Sequence, residues 1–209
     1  MSEKADSREK ILSSACKLFA EKGFKQTTVR DICRDSGSYQ ISINYYFGSK
    51  ENLFKEVILK SFEYTGFIKL PELVKGFEPE EQLYKILKAR INLTFEKGEK
   101  TWFFNILSKE FNVHSELIRP LIPQTIMCFF DLVKSVLRKI NPNASELDIE
   151  YCCFLVIAQS ITLAFNDVAK QRLFSSDTPT EEEIDRLAQK MSFYIIQGLK
   201  KSDMENENE

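Results

Sequence analysis

The sequence predicts an all-helical protein, and three observations carry that prediction. Seven glycines and six prolines in 209 residues make about 6% of the chain, half the usual share of about 12%. Chains built from many tight turns use more of both, which argues against a β-sandwich or barrel. Apolar residues recur at i, i+3, i+4 and i+7 through most of the chain, the period of a helix face. Polar capping residues and single glycines fall where those periodic runs begin and end. With 43% apolar and 29% charged residues, the composition is that of a globular domain.

About nine helices follow from this pattern. Residues 8–22 place Ile11, Ala15, Leu18 and Phe19 on one stripe; Ser7 is the expected cap, and Gly23 suits a left-handed terminus. Thr28 is a good N-cap for a short helix over 29–36, with Val29, Ile32 and Cys33 inward, and Gly37 ends it. A second short helix begins near Ser38 or Tyr39 and runs to about Tyr46, with Ile43 and Phe47 inward. Ser49 caps the next helix, over 49–65, with Leu53, Phe54, Val57 and Ile58 inward. Gly66, Pro71, Gly76 and Pro79 read as punctuation. Helices then occupy about 80–97, 101–111, a long segment from Pro123 to before Asn141, 145–166 and 180–199. The last nine residues, KSDMENENE, lack apolar partners and are expected to be disordered.

Composition also excludes functions. Cys16, Cys33, Cys128, Cys152 and Cys153 form no CxxC pair, which predicts free thiols in a reducing compartment. With one histidine, His114, neither a zinc site nor a Ser-His-Asp set is expected. His114 reads as a surface or capping residue. Acidic runs at Glu80–Glu81 and Glu181–Glu183 sit at helix starts, where the helix dipole explains them. The longest apolar run, Tyr151 to Ala158, is far short of the ~20 residues that span a bilayer. The opening MSEKADSREK has no apolar signal core. A cytoplasmic chain without membrane, metal or cofactor is therefore expected, and a catalytic role is disfavoured. The net charge of −2 hides a gradient: residues 1–60 carry 11 basic and 8 acidic side chains, and the remainder 18 and 23. The two parts are expected to meet different partners.

Two short helices joined by a few residues containing glycine have the spacing of a helix-turn-helix. The second helix of such a pair lies in the major groove of duplex DNA. Gln40 and Asn44 can pair with adenine through two hydrogen bonds, and the hydroxyls of Ser42, Tyr39 and Tyr45 can meet phosphates. Thr27 and Thr28 stand at the start of the first helix, where free amides favour an anion. Tyr46 either faces DNA or packs beside Phe47.

These residues resemble a known family. The REKIL…A…LF opening, the GFxxTT turn, the ICxxSG turn and the YYFxSKxxLF segment together resemble the N-terminal signature of the tetracycline-repressor (TetR) family of bacterial regulators, over roughly residues 8–60. The sequence departs from the family pattern at Ser38, Ile41 and Asn44, all on or beside the reading helix. Carried over, the resemblance implies DNA contacts from Thr28, Ser38, Tyr39, Gln40, Ser42, Asn44, Tyr45 and Lys50, with Lys50 meeting a phosphate. It also implies a division into a DNA-binding domain (1–48), an effector-binding and dimerisation domain (49–200) and a tail (201–209). The segment SKEFNVHSELIRPLI weakly resembles the CecR-like C-terminal subtype.

The resemblance implies a ligand pocket and a dimer interface in the C-terminal helices. Phe62, Asn92, Phe95, Trp102, Phe103, Asn105, Phe111, Gln124, Met127 and Phe130 have the mixture of aromatic and sparse polar groups that lines small-molecule pockets; the same aromatics can equally fill a core. Tyr151, Phe154, Leu155, Ala158 and Ile161, with Leu187, Met191, Tyr194, Ile195 and Gly198, make two terminal helices apolar on more than one face, the pattern of a homodimer surface. The expected function is a dimeric repressor, released from a palindromic operator by a small apolar or amphipathic effector. The alternative is a helix-turn-helix protein without a small-molecule effector, regulated by a protein partner.

Overall fold

The computed structural model describes residues 3–110 and 115–206. Among these are twelve α-helices and no strand: α1 (Glu3–Lys22), α2 (Val29–Ser36), α3 (Gln40–Phe47), α4 (Lys50–Tyr64), α5 (Leu70–Val74), α6 (Pro79–Phe95), α7 (Glu99–Glu110), α8 (Ser115–Ile118), α9 (Ile126–Ile140), α10 (Glu146–Phe165), α11 (Asp167–Leu173) and α12 (Glu181–Asn206). Short 3-10 turns lie at Phe67–Lys69 and Arg119–Leu121. The expected nine helices become twelve because α5, α8 and α11 hold only five, four and seven residues, too few to display a hydrophobic period. Two termini also differ. Helix α1 starts upstream of Ser7, which lies inside it, and α12 continues to Asn206, beyond the tail boundary expected at residue 201.

The chain divides into two compact units. The first holds α1–α4, α7 and α8. Its core is built by the stripes the sequence displays: Ile11, Ala15, Leu18 and Phe19 of α1, Ile32 of α2, Ile43 and Phe47 of α3, and Leu53, Phe54, Val57 and Ile58 of α4 are all buried. Phe103 and Ile106 of α7 complete it. Seventeen of the 209 residues are phenylalanine, and their abundance has a structural use here. Phe19, Phe24 and Phe54 form one cluster, with centroids 4.9–5.8 Å apart. Phe62, Phe67, Phe103 and Phe104 form another. Helices α4 and α7 both pack on α1, so compactness does not break at the residue 48/49 boundary.

Local chemistry fixes the ends of the short helices. Thr28 is the N-cap of α2: its hydroxyl accepts the Asp31 N–H (3.1 Å), and the Asp31 carboxylate accepts the Thr28 N–H (3.1 Å). This reciprocal box satisfies two amides that the first turn leaves orphaned. Gly37 ends α2 in the left-handed region at φ +67°. Ser49 caps α4 by accepting the Asn52 N–H at 3.1 Å. Because α2 holds only eight residues, its cap is a large share of its local stability. Thr28→Ala should therefore destabilise the first unit by about 1 kcal/mol, read as a lower urea midpoint of Trp102 fluorescence; an unchanged midpoint would remove the cap from the account.

The second unit holds α5, α6 and α9–α12. Leu83, Ile86, Leu87 and Ile91 of α6 are buried, as are Val133, Val136 and Leu137 of α9, Ile149, Cys153 and Val156 of α10, and Ile184, Ala188, Ile195 and Leu199 of α12. Polar links run between α6 and α12. Lys88 Nζ reaches Asp185 and Glu181 at 2.7 Å each, Tyr84 donates to Asp185, and Lys200 pairs with Glu80 at 3.1 Å. All five cysteines are free. Cys16, Cys152 and Cys153 are buried, Cys33 is half-buried and Cys128 is exposed. Burial pushes the Cys16 thiol up to about 12, so it remains protonated and inert at neutral pH.

Candidate nucleic-acid interface

Helices α2 and α3 form the helix-turn-helix that the sequence predicts. The turn is closed by Ser38 N–H donating to the Cys33 carbonyl (2.9 Å) and by a hydroxyl pair, Ser36 and Ser38, 2.7 Å apart. Ile32 from α2 and Ile43 and Phe47 from α3 point into the core. Arg8 of α1 lies over the Phe47 ring, 5.0 Å from its centroid, and pairs with Glu56 of α4. The inner face of α3 is therefore held by three other helices.

The opposite face of α3 is open. Tyr39 (80% exposed), Ile41 (77%) and Tyr45 (71%) project into solvent, with Gln40 and Asn44 exposed beside them. Ser38 and Ser42 are half-buried. Tyr46 is half-buried too, with its ring 5.0 Å from Tyr45 and 6.3 Å from Phe47; it sits between the two roles the sequence left open. No residue of α3 carries a charge.

Two residues of the candidate set are placed differently from expectation. Thr27 is fully buried, and its hydroxyl donates to the Gly23 (2.8 Å) and Leu18 (3.1 Å) carbonyls. It fastens the α1–α2 turn and cannot present its hydroxyl to a phosphate. Lys50 is only partly available. Its ammonium donates to the Phe24 carbonyl at 2.6 Å and lies 4.2 Å from the Phe24 ring centroid. Burial lowers its pKa from the ordinary lysine range, opposed by the Glu51 and Glu110 carboxylates. Phe24 is gripped from its other side as well, since its N–H donates to the buried Glu110 carboxylate at 2.7 Å. Gly23 makes this approach possible: at φ +81°, a Cβ there would stand 2.5 Å from Glu110 Oε1.

Sequence reasoning did not single out the cations beside this face. Lys22, Lys25 and Arg30 are exposed around the start of α2, Lys22 near enough to Asp31 and Asp35 to help hold their carboxyls ionised. Lys17 and Arg34 are instead matched to Asp35 (3.2 Å) and Asp31 (2.8 Å). The Thr28 hydrogen bonds hold the Asp31 carboxyl below the usual carboxylate range, so it is ionised at neutral pH. The net charge of residues 1–60 was the only signal for these cations, and it does not say which of them stand exposed beside α3.

The remaining candidates fall in separate places. In the first unit, Phe62 and Phe103 are buried against each other (5.0 Å). Trp102 is half-buried on Tyr64 (5.8 Å), Asn105 is half-buried, and Gln124 and Met127 are exposed. In the second unit, Asn92, Phe95 and Phe130 are half-buried, Phe95 meeting Phe174 edge-on at 4.9 Å. Phe111 and His114 lie outside the described residues. Of the dimer set, Tyr151 (64% exposed), Phe154 (63%) and Tyr194 (67%) face solvent, as do Leu155 and Gly198. Ala158 and Leu187 are half-buried. Met191 and Ile195 instead belong to the core of the second unit, and the Ile161 side chain lies outside the described residues. Leu147 and Phe193, both exposed, extend the apolar face.

A locked helix pair with an open, polar and aromatic reading face defines a helix-turn-helix protein. Residues 11–57 match the family described as "Bacterial regulatory proteins, tetR family". The chain thus carries the TetR-type helix-turn-helix. It is 27% identical over 128 residues to the probable HTH-type transcriptional regulator YttP of Bacillus subtilis, covering 59% of each chain. It is 30% identical over 80 residues to the biofilm operon icaADBC HTH-type negative transcriptional regulator IcaR of Staphylococcus aureus, covering 38% of this chain and 43% of that one. The matches therefore span less than two thirds of these relatives, both of which are named as HTH-type transcriptional regulators. The whole fold is that of such regulators: FadR of Bacillus subtilis, solved in complex with stearoyl-CoA, superposes with a TM-score of 0.67 at 16% identity over 91% of this chain and 98% of that one. Among the described residues, no helix is long and apolar enough to cross a membrane, and no group of three or more His, Cys, Asp or Glu could hold a metal ion.

Proposed function

We propose that this protein is a dimeric, DNA-binding transcriptional repressor acting in the cytoplasm on a palindromic operator. The open face of α3 on a rigidly held helix-turn-helix carries the reading. Tyr39, Gln40, Asn44 and Tyr45 supply base and backbone contacts, with Ser38, Ser42 and Tyr46 at the margin. Lys22, Lys25 and Arg30 are cations for phosphates, with Lys50 and the start of α2 beside them. The exposed apolar face of α10 and α12 supports a twofold dimer, which would place two reading helices on two half-sites.

Release by a small apolar or amphipathic ligand is the reading supported by a fold shared with a regulator solved with stearoyl-CoA. Such a ligand would act by linkage, binding better to a conformation with low operator affinity. The alternative, control by a protein partner without a small-molecule effector, is favoured by the packing of Phe62 on Phe103, which uses two pocket candidates as core. The finer CecR-like assignment rests on residues 108–122, of which 111–114 lie outside the described residues.

The test is binding of the purified protein to the duplex upstream of its own gene. Affinity should fall about 10³-fold or more between 50 and 200 mM salt, the response of a dimer that makes six or more phosphate contacts. Gln40→Ala combined with Tyr45→Ala should bring specific binding down to the level of unrelated duplex. Absence of any salt-sensitive binding would overturn the proposal.

A further inference from the structure

We infer that α3 reads A·T base pairs, and that Ile41 is a specificity residue seated on the 5-methyl group of a thymine. The inference rests on the DNA-reading role proposed above and assigns the base class to that surface. Its first support is the chemistry that α3 lacks. Guanine is read in the major groove by arginine or lysine, and cytosine by aspartate or glutamate. None of these occurs in α3 or at its N-cap, Tyr39.

The second support is what the open face offers instead. Gln40, Ile41, Asn44 and Tyr45 are all exposed; Gln40 and Asn44, four apart, form one row along the helix, and Ile41 and Tyr45, also four apart, form the next. Ile43 and Phe47, buried, lie opposite the Ile41–Tyr45 row, with Gln40 and Asn44 on the flank between them. Gln40 and Asn44 have the donor and acceptor pair that matches adenine N6 and N7. Ile41 has neither. An isoleucine side chain 77% exposed on the first turn of the helix makes no use of the protein's own core, which Ile43 fills from two positions on. The N-terminal residues of a reading helix are those that reach base edges. The only apolar feature of a base edge in the major groove is the thymine methyl.

The test uses the full-length protein and deoxyuridine, which keeps every hydrogen-bonding group of thymine and lacks the methyl. A binding site is selected from a random duplex library, and its thymines are replaced one at a time. The wild type should lose about four-fold in affinity at one thymine per half-site, the effect of uncovering one methyl group. Ile41→Ala should bind thymine and deoxyuridine equally at that position. Its thermal unfolding should match the wild type, since the side chain is outside the core. Selected sites with G·C pairs under α3, equal wild-type affinity for thymine and deoxyuridine throughout, or discrimination that survives Ile41→Ala would each overturn the inference while leaving DNA binding intact. A protein that selects no duplex at all overturns the DNA-reading role, and this inference with it.

Discussion

Phe54→Ala should destabilise the first unit by about 3–5 kcal/mol, the range for deleting a buried phenylalanine. Phe54 is fully buried. Its ring meets Phe19 edge-on at 5.2 Å and Phe24 at 4.9 Å, so one side chain joins α4 to α1 and to the turn that leads into α2. The cavity would not be the only loss. Phe24 is the residue whose carbonyl accepts from Lys50 and whose N–H donates to Glu110. A Phe24 ring without its partner would loosen both polar anchors of the turn that positions the reading helices. Since small domains are stable by only about 5–15 kcal/mol, much of the margin would go. Urea unfolding followed by Trp102, the only tryptophan of the chain, reports on this unit because Trp102 lies in α7. Phe54→Leu, which keeps most of the volume, should cost far less. A loss below about 1 kcal/mol for the alanine variant would mean that the aromatic cluster is not what fastens the turn.

The helix-turn-helix was legible in the sequence because its determinants are local. Thr28 with Asp31, Gly37, and Ser49 with the Asn52 amide all act within four residues of one another, and each does in the structure what its residue type predicts. Helix α5 was missed because Pro71 reads as a break, whereas it sits in the first turn, where its missing N–H costs nothing. Helix α11 was missed because Asn166 ends one helix and caps the next.

Features that depend on distant partners were not legible. Thr27 and Thr28 are adjacent and identical, yet one is fully buried on main-chain carbonyls and the other caps α2. The Glu110 carboxylate meets Phe24 from 86 residues away, and no local pattern announces it. The same holds for α10 and α12. Their apolar residues were evident, but which of them face the core depends on where α6 lies. Met191 and Ile195 turned inward; Phe193 and Tyr194 did not.

That outward remainder sets the second large expected effect. Leu147, Tyr151, Phe154 and Leu155 follow one another at i, i+4, i+7 and i+8 on α10, and α10 packs on α12, which exposes Phe193 and Tyr194. Aromatic side chains each bring about 150–250 Å² to a contact, so a two-helix face repeated on two protomers approaches the roughly 1,600 Å² of a standard stable interface. In the proposed dimer, Phe154→Glu would place a charge on each side of the twofold axis within that apolar contact, and a buried unpaired charge is strongly unfavourable. The variant should sediment as a monomer at concentrations where the wild type is a dimer. Its affinity for a full palindrome should fall by about 10²–10⁴-fold, because the second half-site would no longer be bound at the high effective concentration that linkage provides. Affinity for a single half-site should be unchanged, since Phe154 lies outside the unit that contains α3. Phe154 is exposed, so far-UV circular dichroism and the Trp102 unfolding midpoint should match the wild type, separating a lost interface from a lost fold. A Phe154→Glu protein that remains dimeric with undiminished palindrome affinity would place the subunit contact elsewhere than on α10 and α12.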